Sequence, residues 1–267
     1  MTGPIMDIFW KDVRHGIRLL LRNPVHSIIA VLALTAGIGL TTTMFSIVYG
    51  ALFRGLPFDQ PDRILHIERS NLPRGQNSLE VPIHDYLDWR TQQRSFEQLA
   101  AFYQGTVNLS GTEQPERLDG AFVSANTFAL LRVRPHMGRV FREGEDSPGA
   151  EGVVLIGYDL WQTRFNGDPA IVNQSIRANG TPVTIVGVMP PQFRFPFQQQ
   201  IWLPLRLDPL ALKRGEGTTL EVFGRLRDGV SIDQAAVEMN AIAVRLERAY
   251  PASNRDIRAV LKPFTEV

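Results

Sequence analysis

The sequence contains no cysteine. That excludes thiol catalysis, cysteine-ligated metals and disulfide staples, so the chain must be stabilised by burial alone. It has no G-x-x-x-x-G-K-[ST] loop and so supplies no ATP site of its own. No G-x-S-x-G elbow, periodic repeat or low-complexity tract is present. Net charge is nearly nil: 28 Lys and Arg against 27 Asp and Glu leave +1. The charges are interspersed, with no basic stripe to release counterions, so nucleic acid is not expected as a partner. The most informative absence is local. Residues 23–53 include no Asp, Glu, Lys or Arg, and only His26 among them titrates near neutral pH.

That uncharged stretch is the feature around which the rest is arranged. About 20 apolar helical residues cross a hydrocarbon core of roughly 30 Å, so residues 23–53 are long enough to span with some tilt. A cleaved signal peptide has a similar basic start but a shorter apolar core, and the sequence favours an uncleaved anchor. Before the span, residues 1–22 read as an amphipathic interfacial helix. Phe9, Val13, Ile17, Leu20 and Leu21 recur at helical spacing, with Lys11, Arg14, Arg18 and Arg22 on other faces and toward lipid phosphates. Pro24 marks the break between the two. Positive charge before the span and none in excess after it put the N-terminus in the cytoplasm and residues 54–267 outside. Within the span, Ala33, Gly37 and Gly39 suggest a small-residue face for packing against other helices.

The outer part is expected to be α+β. Strands are read at 64–68, 99–107 and 117–123, with a turn at 111–113 and a helix beginning at Pro82. A short helix follows at 126–131. A β-rich stretch then contains a strand at 153–156, a helix at 159–165 and a hairpin. The hairpin turns at Asn179-Gly180, where both central residues of a type I′ turn need positive φ. A further strand is read at 201–205. Another at 220–226 precedes a helix opened by a Ser231/Gln234 capping box. That helix carries Ala235, Met239, Ile242, Leu246 and Ala249 as a core stripe and stops at Pro251, before a strand at 257–262. The expected architecture is a split pair of β-α-β units, residues 54–132 and 218–267, with a β-rich subdomain inserted at 133–217.

Chemistry-bearing residues are few. His84, Asp85 and Asp88 share one helix and could form a ligand or acid/base cluster; the alternative is a solvated helix face. Glu143, Glu145 and Asp146 offer oxygens to a hard cation, or form an acidic surface turn. Trp161, Phe165, Phe193, Phe195, Phe197 and Trp202 concentrate aromatics in the insert, as core or as a binding surface. Neither a nucleophile–base pair nor a metal set is complete, so no enzyme activity and no bound cofactor are expected.

An ordered series of segments resembles a known family. It runs Leu56-Pro-Phe-Asp-Gln-Pro-Asp-Arg63, His84-Asp-Tyr-Leu-Asp-Trp-Arg90, then Pro135 through Gly138-Arg139-Val-Phe141 with Glu145-Asp146. Leu160-Trp-Gln-Thr-Arg-Phe-Asn-Gly-Asp-Pro169, Asn179-Gly180, Val186-Gly-Val-Met-Pro190, Val230-Ser231 with Gln234-Ala235, and Tyr250-Pro251 complete it. In this order they look like the MacB-like periplasmic core domain of bacterial ABC transporter permeases, in the macrolide-exporter and FtsX-like group. The resemblance implies a porter-like outer domain with an inserted subdomain, residence in the bacterial inner membrane, and a second permease copy. It also implies a cytoplasmic ABC ATPase that binds the ATP and drives motion in the outer domain. Permeases of this kind carry at least three further spans, and the cytoplasmic loop among them docks the ATPase. With Val267 standing about where the second span would begin, the chain is expected to be the N-terminal part of such a permease. The competing expectation is an orphan single-pass, membrane-anchored binding module without transport.

Overall fold

The computed structural model describes residues 24–52, 59–110 and 115–264. The chain divides into two units, Met1–Gly55 and Leu56–Val267. The proposed interfacial helix with Lys11, Arg14, Arg18 and Arg22, and the turn at 111–113, lie outside the described residues.

In the first unit, α1 (Pro24–Leu52) is one helix of 29 residues. At about 1.5 Å per residue it is roughly 43 Å long. Large apolar side chains stand out from it, among them Ile28, Leu34, Leu40 and Met44. Counting only described side chains, no helix is long and apolar enough to cross a membrane. The side chains at 25–27, 30, 31 and 45–52 of α1 fall outside that count.

In the second unit, β1 (Ile64–Asn71), β2 (Gln76–Leu79) and β3 (Val81–Pro82) lead into α2 (Ile83–Gln92). β4 (Phe96–Ser110), β5 (Glu116–Val123), α3 (Thr127–Leu130), β6 (Met137–Gly138), β7 (Val153–Ile156) and α4 (Tyr158–Arg164) follow. Next come β8 (Ser175–Ala178), β9 (Thr181–Val188), β10 (Ile201–Pro204) and β11 (Thr219–Leu226). The last elements are α5 (Ile232–Ala249), α6 (Pro251–Asn254) and β12 (Arg258–Pro263).

The main path of the sheet runs β12-β1-β11-β4-β5-β10-β7-β9-β6. Its first four strands are all antiparallel neighbours. β11 lies between β1 and β4, and β1 lies between β11 and β12, so each β-α-β unit holds a strand of the other between its own two. This is the split β-α-β arrangement. Helices α2 and α5 cover one face: Ile83, Tyr86 and Trp89 join Ala235, Met239, Ile242 and Leu246 over Leu65, Ile67, Leu99 and Val222. The capping box at Ser231 and Gln234 forms in both directions. The stripe on α5 ends one residue sooner than the spacing suggests, since Ala249 is exposed in the last turn. Pro251 does not end helical structure; after the break at Tyr250 it opens α6, where a first-turn proline is tolerated.

The opposite face of the sheet carries an aromatic core. Phe102 and Phe223 pack with Phe128, Phe193, Phe195 and Trp202, and the indole of Trp202 donates to the Phe195 carbonyl at 2.7 Å. Most of the insert's aromatics are therefore core, while Phe197 is half exposed. The insert continues the sheet: β10 runs parallel to β5, with Trp202 opposite Ala121. A third core, centred on Ile156, Trp161, Ile185 and Ile201, fills the far end. The hairpin turn has φ 51° at Asn179 and 78° at Gly180, as its dipeptide requires.

One pairing joins two segments of the resemblance. Met137–Gly138, which reads as loop in the sequence, pairs with Val188 and Gly187. A Cβ on Gly187 would lie 2.5 Å from the Arg139 carbonyl oxygen and 2.8 Å from that of Met137. Backbone cannot retreat as a side-chain tip can. Gly187→Ala is expected to cost about 1–3 kcal/mol, read as a lower midpoint in chemical unfolding; an unchanged midpoint would remove this account of the glycine.

Candidate functional site

On α1, Ala33 and Gly37 are four residues apart and share a face. A Cβ on Gly37 or Gly39 would meet nothing within 4 Å, and Thr41 and Thr43 bond back to the Gly37 and Gly39 carbonyls, each at 2.7 Å. At 3.6 residues per turn, Gly39 projects about 160° away from Gly37. The small-residue face expected from sequence therefore reduces to Ala33 and Gly37, with Gly39 on another side of the helix.

In the second unit, the helix with His84, Asp85 and Asp88 forms neither the ligand cluster nor the solvated face. Asp85 is 1% exposed. One carboxylate oxygen accepts from Arg214 Nη1 at 2.6 Å and Asn254 Nδ2 at 3.0 Å. The other accepts from Arg69 Nη1 at 3.0 Å and the same amide at 3.1 Å. Arg214 also pairs with Asp88 and lies 3.7 Å from the centre of the Tyr250 ring, a cation–π contact. His84 turns away and bonds the Pro209 carbonyl at 2.9 Å. Four segments thus converge on one carboxylate: β1 through Arg69, α2 itself, the loop before β11 through Arg214, and α6 through Asn254. Sequence reasoning singled out Asp85 but missed Arg69, Arg214 and Asn254, which come from distant segments.

In the acidic turn Glu145 is likewise spoken for. Glu145 takes Arg139 at 2.7 and 3.0 Å and the Arg142 amide at 2.8 Å. Burial alone would raise its carboxyl; the hydrogen bonds from Arg139 and Arg142 outweigh that and hold it below the usual range. Among the described residues, no cluster of His, Asp and Glu could hold a metal ion.

At the other end of β1, where the chain enters the domain, sits a network of exposed charges. Arg63 bridges Glu97 at 2.8 Å and Asp228 at 2.7 Å, and Arg132 bridges Asp59 at 2.7 Å and Glu97 at 3.4 Å. Beneath it lies Arg225, fully buried, with Nε donating to the Leu130 carbonyl at 2.9 Å. Burial pulls the pKa of that guanidinium below its usual value, with Arg132 and Arg63 pulling the same way and Glu97 and Asp59 opposing. The last strand ends here too: Pro263 lies opposite Leu65.

Compared with known proteins, the MacB-like periplasmic core domain family matches residues 27–242. The chain belongs to that family. No curated protein matches it. Of 26 matching solved chains, one is the periplasmic region of MacB from Actinobacillus actinomycetemcomitans. It is 13% identical, with a TM-score of 0.55, over 80% of this chain and 92% of that one. Another is the extracellular domain of the noncanonic ABC-type transporter YknZ from Gram-positive bacteria, 14% identical, with a TM-score of 0.52, over 74% of this chain and 99% of that one. At these identities the likeness is one of fold. MacB-like domains are non-catalytic, transport-associated modules of membrane permeases, and this chain carries one over most of its length.

The Asp85 network makes a direct prediction. Removing the carboxylate leaves the largely buried Arg69 without a counter-charge and Arg214 with Asp88 alone. Asp85→Ala is expected to destabilise the domain by about 3 kcal/mol, near the low end for a broken buried pair. Asp85→Asn, which keeps shape and some hydrogen bonding, should cost less. Equal midpoints for Asp85→Ala and the unaltered protein in urea unfolding would show that the network contributes nothing.

Proposed function

We propose that the chain is a permease-type subunit, or the N-terminal part of one, of a bacterial ABC assembly. In this reading α1 crosses the inner membrane with the N-terminus inside. The outer domain transmits ATP-driven motion to an extracytoplasmic substrate or partner, in concert with a second permease copy. ATP is bound by a separate cytoplasmic subunit.

One observation carries the reading: Leu65, at the start of the outer domain, lies opposite Pro263, near its end. A domain whose two connections leave side by side is suited to insertion between membrane helices. Relative movement of the two connections would then act on the single β1–β12 ladder. The uncharged 29-residue α1 supports the same reading, as does the Ala33/Gly37 face, which would seat a neighbouring helix.

Affinity purification from native membranes of a permease that carries this chain together with the further spans should recover an ABC ATPase subunit. Consistent failure to do so, with the protein folded, would sink the coupling reading and favour the anchored binding module. Topology is checked separately in this cysteine-free chain. Gly3→Cys should be labelled by a membrane-impermeant maleimide only after the membrane is opened, and Ser147→Cys in intact spheroplasts. Labelling of both from outside would reverse the proposed orientation.

A further inference from the structure

A cavity of about 380 Å³ lies against the C-terminal end of α2, the start of β4, α3 and the turn at 141–146. That is the small end of the range for small-molecule sites, which runs from about 300 to 1,000 Å³. Leu99, Ala125 and Phe141 give it apolar surface, and its charged walls are Arg90, Glu97, Glu143 and Asp146. Two of these are already answered. Glu97 is held by Arg63 and Arg132, and Asp146 accepts the Ala125 amide at 2.9 Å. Among the described residues Arg90 and Glu143 form no salt bridge. The cavity therefore presents one unpaired cation, Arg90, and two unpaired anions, of which Asp146 is already held by a backbone amide and Glu143 is not.

A second observation does not depend on the wall charges. The Tyr86 side chain is 2% exposed. Its hydroxyl is sealed from solvent, with Ser124 and Arg90 close beside it and Asp146 nearby. Two of its three polar neighbours, Arg90 and Asp146, are walls of the cavity.

We propose that this cavity binds a small zwitterion, of amino-acid or dipeptide size, with Arg90 taking its carboxylate and Glu143 its ammonium group. The guanidinium fork suits a carboxylate, and a charge-assisted bond at each end would fix the ligand's direction. The apolar wall takes the aliphatic remainder. The site needs no ATPase, so it stands or falls apart from the coupling reading.

The experiment is calorimetric titration of the full chain in detergent with alanyl-alanine, its N-acetyl form and its C-amide form. The free dipeptide should bind, and either cap should weaken binding by about tenfold or more. In Arg90→Gln the amide should no longer be penalised; in Glu143→Gln the acetyl form should no longer be penalised. No heat from the free dipeptide at tens of millimolar would overturn the proposal, as would equal affinity for all three ligands. The capped-ligand comparison is made on the unaltered protein, so it decides the matter even where a variant folds poorly.

Discussion

Everything in the outer domain hangs on β4. Its fifteen residues reach about 50 Å, and three different strands use its length. Residues Phe96–Phe102 pair with β11, Phe102–Leu109 with β5, and Leu109–Ser110 with β8. The split β-α-β part and the insert are thus joined by one continuous ladder. Its alternation is strict where both faces are covered. Leu99 and Ala101 turn toward the helices, and Ala100 and Phe102 toward the aromatic core. A slip of one residue would exchange these sets and place Phe102 beneath the helices. The alanines are fully buried because helices close one side of the sheet and the insert the other, which leaves little depth at the middle of the strand.

The strand order adds a second constraint. β11 must enter between β1 and β4, and it is made only after the whole insert. The α/β core cannot close until that late segment returns, which is a non-local pairing of the kind that slows folding. The Asp85 network spans the same gap. Its carboxylate and Arg69 come from the early half of the domain, while Arg214 and Asn254 come from the late half. Leu99 and Ala101 from the early half likewise meet Met239 and Ile242 from the late half. Apolar contact tolerates small shifts, whereas a buried carboxylate held by three donors does not. The network is therefore a check on the register of the late segment as well as a source of stability.

What could be read in the sequence was local. The Asn179-Gly180 turn and the Ser231/Gln234 capping box each fit within a few residues, and the stripe from Ala235 to Leu246 lies on one helix. Their physics is complete at that range, and the split order of strands followed from the spacing of the elements. The partners of Asp85 were not legible, because they stand 16, 129 and 169 positions away. Nor was the Met137–Gly138 strand, a pairing of two residues whose need for glycine appears only when Gly187 lies against it. Gly39 failed for a different reason: adjacency in sequence was taken for a shared face, and 100° per residue forbids it over two positions. Arg225 gave no signal at all, since a charge in a strand ordinarily marks the solvent side and this one is buried.

The two ends of the split unit are held in unlike ways, and that difference bears on how force would pass through it. At the entry end, Arg63, Glu97, Arg132, Asp59 and Asp228 pair on the surface, where ion pairs contribute about 0–1 kcal/mol each and exchange readily with water. At the far end a buried carboxylate fixes four segments at once. A displacement applied through the connections beside Leu65 and Pro263 first meets a soft, rearrangeable layer of charge. It is then carried by β1, whose neighbours β11 and β12 are hydrogen-bonded along it, to a junction that resists relative movement of its parts. Arg225 sits under the soft layer without a carboxylate of its own. Any rearrangement of the charges above it changes the field at a buried guanidinium. In the proposed transmission the entry end would yield first, and the Asp85 end would move as one piece.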